Sequence, residues 1–383
     1  MIFQDPGSSL NPLRAIESQI LDGISASGQA AGPSGIPGDV SIPAAGSRRK
    51  PMNVTLGLQT DKSVGDYARL AVMAESLGFD GISAFHDLGF QPSLFPLLEM
   101  ARVTTRLRLG AACLNPFLLH PVEIAGQAAA LDLVSNGRAY VGLARGAWLE
   151  RVGVRPTRPL LGLAEAVEVV RRLLRGDDSA YDGQIFPMAA GTRLAYPRRR
   201  DALDILLGTW GPRGVALAGR CADEVKLGGC ANPDMIRYVR AVLDEACRVA
   251  GRDPSSVGIV SGAVTVVDED GAAARQMARA QVAVYLDVVA PLDTTVTVPD
   301  SVLAPLRAAL ARGDADAAGR CIPDELLDRF TFAGEPAAVA EHVAAVFQAG
   351  ASRVEFGSPH GRTDVDGVEL IGKKVLPAVR EAS

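Results

Sequence analysis

The sequence predicts an α/β chain folded as a TIM (β/α)8 barrel, and three observations predict it. From Met52 onward, short β-rich runs alternate with helical stretches. Eight such pairs fit into about 330 residues, the size of a barrel carrying insertions. Each strand is apolar almost throughout, as a parallel sheet buried on both faces requires.

Strands are expected at Val54–Gln59, Gly81–Phe85, Leu107–Leu114, Ala139–Leu143, Ile205–Thr209, Glu224–Leu227, Val257–Val267 and Arg353–Phe356. The helices between them fall at Val64–Leu77, Leu94–Val103, Val122–Val134, Leu160–Leu174, Val215–Cys221, Met235–Ala250 and Ala272–Val289. A further helix is expected at Ala337–Ala349, and an amphipathic one, Val368–Val379, ends the chain. Two insertions, Gly176–Leu203 and Ala290–Ala333, are expected to shape a substrate pocket. An open doubly wound sheet is the alternative, but no GxGxxG follows the first strand.

Composition excludes several classes. Of 383 residues, 39 are basic and 44 acidic, giving net charge −5. No basic surplus points to nucleic acid or to an anionic membrane. No apolar stretch approaches the ~18 residues of a membrane span, and no basic segment followed by an apolar run marks a secretory signal. The five cysteines are odd in number, widely spaced and without a CxxC pair, which argues against a disulfide framework or a metal cluster. A cytoplasmic protein acting on a small molecule is expected, with no metal and no membrane or nucleic-acid partner; a homodimer is compatible with this.

The first fifty residues differ from the rest. Gly23–Arg49 is mainly Gly, Ser, Ala and Pro, a composition too poor in large apolar groups to order itself, so a disordered linker is expected. Ahead of it, Met1–Pro12, with Gln4, resembles the Q-loop segment of oligopeptide-type ABC transporter ATPases. The Walker A loop and signature motif of that family are absent. Gly367–Lys374 nearly spells a P-loop, but Lys374 replaces the magnesium-binding hydroxyl and bulky residues fill the loop. Residues 1–50 therefore read as a borrowed fragment plus linker, with 52–383 as the barrel and Met52 as its natural start.

In a barrel, working residues sit just after the strands, at the C-terminal face. Those positions hold Gln59, His86-Asp87, Asn115, Arg145-Gly146, Thr209 through Arg213, Gly228-Gly229 and Ser358. The fifth unit, Gly208-Thr209-Trp210-Gly211-Pro212-Arg213-Gly214, offers small residues, a proline suited to a first helical turn, free N–H groups and a guanidinium. That is a phosphate cradle, or an ordinary βα turn ended by glycine and proline. In the fourth unit Arg145 could grip phosphate or carboxylate and Trp148 pack on an aromatic cofactor; alternatively they are a rim ion pair and a core ring.

Four segments in order carry a family resemblance: Leu109–Pro116 with His120-Pro121, Leu131–Ala139, Gly211-Pro212 through Ala218–Asp223, and Gly334–Ala340. On these the chain from Met52 onward resembles the bacterial-luciferase-like superfamily, and within it F420-dependent oxidoreductases of the methylenetetrahydromethanopterin-reductase type. The resemblance implies a TIM barrel with a deazaflavin (coenzyme F420) or flavin at its C-terminal face. It implies a non-prolyl cis peptide at Ala112–Cys113, shaping a bulge behind the ring, and Asn115 against the ring or ribityl chain. Arg145, Gly146, Trp148, Thr209, Gly211, Pro212, Arg213 and Gly214 would hold the tail. Trp210 is a second ring available to such a site.

Many F420 members carry Asp-His after the second strand, whereas here the order is His86-Asp87. His86 suits a proton donor, since imidazole titrates near pH 6.5, or else it is a barrel-mouth histidine with structural hydrogen bonds only. Ala147 stands where some relatives place a glutamate. His120 is expected to cap the helix before Pro121, His342 to lie on an exposed helix face, and His360 in a loop near the mouth. The expected activity is F420-dependent hydride transfer to or from a small organic substrate. The alternatives are an FMN-dependent monooxygenase, a cofactor-binding barrel without turnover, and an ABC-related interaction protein.

Overall fold

The computed structural model describes residues Met52–Glu381, so the fragment and linker expected over 1–50 lie outside the described residues. The strands are β1 (Asn53–Leu58), β2 (Gly81–Ala84), β3 (Arg108–Leu114), β4 (Ala139–Ala144), β5 (Ile205–Gly208), β6 (Glu224–Gly228), β7 (Gly258–Val267), β8 (Thr331–Gly334) and β9 (Arg353–His360). Hydrogen bonding runs β6-β5-β4-β3-β2-β1-β9-β7, and β6 also pairs with β7. Eight parallel strands thus close into a TIM barrel, and the open sheet is ruled out.

All eight expected strands form it. The ninth, β8, was not expected; it lies at the edge of the second insertion and pairs with the far half of β7, Val264–Val267. Four residues, Thr-Phe-Ala-Gly, are too few for a period to emerge.

The helices α1 (Val64–Leu77), α2 (Leu94–Val103), α3 (Pro121–Val134), α4 (Pro159–Arg175), α5 (Pro212–Cys221), α6 (Pro233–Val249) and α7 (Gly271–Val289) ring the barrel. Their boundaries obey local chemistry. Four of them begin at a proline, whose fixed φ and missing N–H suit a first turn. α1 ends at Gly78, whose φ of 88° is the left-handed conformation that helix ends favour. His120 accepts the Val122 N–H through Nδ1 and so caps α3, as expected.

The insertions are ordered. Buried Glu165 of α4 accepts three successive backbone N–H groups, from Gln184, Ile185 and Phe186 at 2.9, 2.7 and 2.8 Å, and so pins the first. The second holds α8 (Asp300–Ala311), α9 (Ala315–Arg320) and α10 (Asp324–Phe330), moored to α7 by Arg275 with Asp324 and Asp328. After β8 come α11 (Pro336–Gln348) and, beyond β9, α12 (Asp364–Leu370), a π-helical turn at Ile371–Val375 and α13 (Leu376–Glu381). The near-P-loop is therefore helix: Lys373 pairs with Glu369 and Lys374 with Glu269.

Two histidine expectations are corrected. His342 of α11 is half-buried rather than exposed; it bonds the Ala231 carbonyl through Nε2 (2.7 Å) and packs against Phe332. His360 is the buried last residue of β9 rather than a loop residue. Its ring lies between the Asp364 carboxylate (2.8 Å) and the Phe356 carbonyl (3.0 Å).

Bulky aliphatics ordinarily fill a barrel interior in layers of four, one residue from each alternate strand. Here the layer from β2, β4, β6 and β9 is polar: Ser83, Tyr140, Lys226 and Glu355, all buried. Lys226 pairs with Glu355, Ser83 donates to the other Glu355 oxygen, and Tyr140 shares a 2.5 Å hydrogen bond with Ser83. Two residues further along the same strands stand Phe85, Gly142, Gly228 and Gly357; Gly142 and Gly357 press on neighbouring backbone, and Gly228 faces open space.

Candidate functional site at the barrel mouth

The turns beyond the strand ends build the mouth. In β3 the peptide bond Ala112–Cys113 is cis, and the register with β4 shifts between Ala111 and Leu114. The bulge lies against Gly142, where a Cβ would collide with the Ala111 carbonyl. Beside it, the Cys113 sulfur is 3.0 Å from where a Gly208 Cβ would sit, so glycines on β4 and β5 admit the bulge. Burial pushes the Cys113 thiol up to about 11, against the pull of Lys226, so it stays protonated and is no nucleophile.

Asn115 is buried and bonded at both ends of its amide. Its Nδ2 donates to the Arg145 carbonyl at 2.6 Å, and its Oδ1 accepts the Phe117 N–H at 2.9 Å. It thereby fixes the turn after β4, where Gly146 takes φ 78° and passes so close that a Cβ would strike the Asn115 amide. Arg145 is exposed at this rim. Trp148, in the left-handed conformation, carries the Arg151 guanidinium 5.4 Å from its ring centre.

In the fifth unit, Thr209 packs where a Gly214 Cβ would be, locking the turn onto the start of α5. Gly211 and Arg213 are exposed there, and nothing lies within 4 Å of a Cβ placed on Gly211. Trp210 is not available to a ligand as expected: it is buried and its Nε1 donates to the Gly228 carbonyl at 3.2 Å.

After β2, His86 and Asp87 diverge. The Ser93 N–H donates to His86 Nδ1 at 3.2 Å, so the neutral ring carries its proton on Nε2. Burial lowers the His86 pKa, outweighing the Asp87 charge that raises it. Asp87 is exposed and accepts from Gln59 Nε2 at 3.1 Å. Beside the mouth, an open groove of about 400 Å³ runs between the loops after β3 and β4, lined by Phe117, Leu118, His120, Arg155 and Phe186.

These residues suit a planar ring bearing a phosphorylated tail. Gly211 and Gly228 both face open space, the bulge of β3 offers a backbone wall, and α5 presents N–H groups beside two rim arginines. What sequence reasoning missed is the polar layer beneath. Its signal was present: Glu-Val-Lys in β6 and Arg-Val-Glu in β9 place charges at alternate, inward positions of otherwise apolar strands.

A family model described as luciferase-like monooxygenase matches residues 47–353. Over 316 residues the chain is 29% identical to the 5,10-methylenetetrahydromethanopterin reductase of Archaeoglobus fulgidus, covering 80% of this chain and 94% of that protein. It is 26% identical over 326 residues to the F420-dependent glucose-6-phosphate dehydrogenase of Microbacterium testaceum, covering 81% and 92%. The solved structure of the coenzyme F420-dependent tetrahydromethanopterin reductase from Methanopyrus kandleri matches with a TM-score of 0.77 at 23% identity, over 85% of this chain and 99% of that one. With the family model spanning most of its length, the chain belongs to the luciferase-like monooxygenase family and is an oxidoreductase.

Proposed function

We propose that the chain is an F420-dependent oxidoreductase that moves a hydride between the deazaflavin and a small organic substrate. The observation that carries this is the bulge in the β3–β4 register, set against Gly142, with Gly211 and Gly228 facing open space at the same end of the barrel. The name of the Microbacterium testaceum relative, an F420-dependent dehydrogenase, supports the choice of F420. When bound, the deazaflavin supplies the hydride-carrying ring carbon. The chain's own residues do the rest.

Ala112 and Cys113 back one face of the ring and leave the other to the substrate. Asn115 holds the rim of the site through the Arg145–Gly146 turn, and Trp148 flanks it. Thr209, Gly211, Pro212, Arg213 and Gly214 hold the phosphorylated tail, with Arg145 as the second cation. His86, with Nδ1 held by the Ser93 N–H, offers its Nε2–H as a hydrogen-bond donor to the reacting substrate, and Asp87 acts on it only as a nearby charge. Phe186, carried by the first insertion, places the groove beside Phe117 on the substrate's path. The scattered free thiols accord with a reducing, cytoplasmic setting.

A second reading, FMN-dependent oxygenation, is favoured by the description of the family model. The two separate under anaerobic conditions. Purified chain given reduced F420 and a panel of carbonyl and imine compounds should oxidise the cofactor without oxygen. Turnover only with reduced FMN and oxygen would overturn the proposal.

A further inference from the structure

Beneath the mouth, Lys226 is a buried cation whose hydrogen-bonding capacity is not filled. An ammonium carries three N–H donors. Glu355 takes one, and the Phe85 ring, with its centre 4.9 Å from Nζ, faces the group. No other acceptor for it is found among the described residues. Glu355 is engaged at both oxygens, one on Lys226 and the other on Ser83. The Lys226 side chain keeps 7% of its surface accessible against 1% for Glu355.

Open space lies one layer above it on the same strand. Gly228 is two residues further along β6 and therefore on the same inward face. It is exposed, and a Cβ placed there would meet nothing within 4 Å. An ammonium held by one carboxylate, flanked by the Phe85 ring and one layer below the open position at Gly228, is arranged to receive an oxygen acceptor from the mouth.

We propose that Lys226 is a ligand-contacting residue, donating from the floor of the mouth to the carbonyl or anionic edge of the cofactor's ring, with Glu355 and Ser83 as the positioning residues that aim it. This rests on the reading of the mouth as a deazaflavin or flavin site. Reduction puts negative charge on such a ring, so Lys226 holds the reduced form more tightly than the oxidised one. The deeper pair, Arg353 with Glu224, has no open space of this kind above it and plays no part in binding.

The test is affinity, measured by fluorescence titration of the full chain with oxidised and reduced F420 and FMN. Lys226→Met alone would strand Glu355 in the interior, so the working variant is Lys226→Met with Glu355→Gln, its fold checked by circular dichroism and melting. The comparison variant neutralises the deeper pair, Arg353→Met with Glu224→Gln. The upper variant should bind the reduced cofactor about tenfold or more weakly, with a smaller loss for the oxidised form, and the deeper variant should bind within about twofold of wild type. Equal binding by all three folded proteins would overturn the role of Lys226 while leaving the site reading intact. Equal weakening of both variants would also overturn it, since a general loosening of the barrel would then suffice. Failure of the wild-type chain to bind either cofactor would overturn the site reading and this inference together.

Discussion

Lys226 of β6 pairs with Glu355 of β9 across the barrel interior, and two residues earlier the same strands pair again with their charges exchanged, Glu224 with Arg353. Each strand carries alternating sign, so four buried charges cancel in two layers. Arg353 stacks over the Tyr140 ring with its guanidinium carbon 5.0 Å from the centroid. Its Nε has no acceptor among the described residues. It leans on Glu224 for compensation.

Removing that carboxylate should therefore be costly. Glu224→Gln leaves a guanidinium buried without a counter-charge, a change worth about 3–5 kcal/mol. Denaturant unfolding of wild type and variant would measure it. A loss below about 1 kcal/mol would show that the pair is not what compensates Arg353.

The Asn115–Arg145 tie makes the rim of the mouth sensitive to a single methyl group. Gly146→Ala must adopt a positive φ and press on the Asn115 amide, costing about 1–3 kcal/mol. Asn115→Ala releases the same turn at a similar cost, about 1–3 kcal/mol. Because both changes act on one contact, a double variant should lose clearly less than the sum of the two, as a double-mutant cycle would reveal.

His86 gives stability a pH dependence of definite sign. Its folded-state pKa lies below the unfolded value near 6.5, so below about pH 6.5 the unfolded chain binds a proton that the folded chain refuses. Stability is complete above that pH and is lost as the pH falls toward the folded pKa. His342, also lowered by burial, adds in the same direction. Unfolding free energies across this range should decline toward acid, and His86→Gln should flatten part of the slope. An NMR titration placing His86 above 6.5 would contradict the geometry at Ser93.

Glu165 should control the groove without touching its opening. Its carboxylate gathers three backbone N–H groups around Phe186, so Glu165→Ala leaves those donors without their acceptor. Hydrogen exchange over 184–186 should rise by about tenfold or more, with the barrel strands unchanged. Unaltered protection there would mean that the insertion is held by other contacts.

Much of the fold was legible because a barrel repeats. Apolar runs such as Ile205–Gly208 and Gly258–Val267 announce buried parallel strands, and prolines at 121, 159, 212 and 233 announce helix starts. β8 was not legible, because pairing with β7 rather than any internal period makes those four residues a strand. The mouth residues were legible as positions but not as partners. Nothing local says that Asn115 reaches Arg145, that Trp210 turns inward to Gly228, or that Glu165 gathers Gln184 and its neighbours. Those contacts join residues 18 to 30 positions apart and exist only once the barrel closes. Lys226 and Glu355, 129 residues apart, are the extreme case, visible only as charges inside apolar strands.

The central claim is that the mouth binds a deazaflavin for hydride transfer. Parallel equilibrium titrations of the purified, cofactor-free chain with F420 and with FMN test it most directly. Saturable F420 binding at least about tenfold tighter than that of FMN, a difference of about 1.4 kcal/mol, is the predicted result. Tight FMN binding with no detectable F420 binding would contradict it.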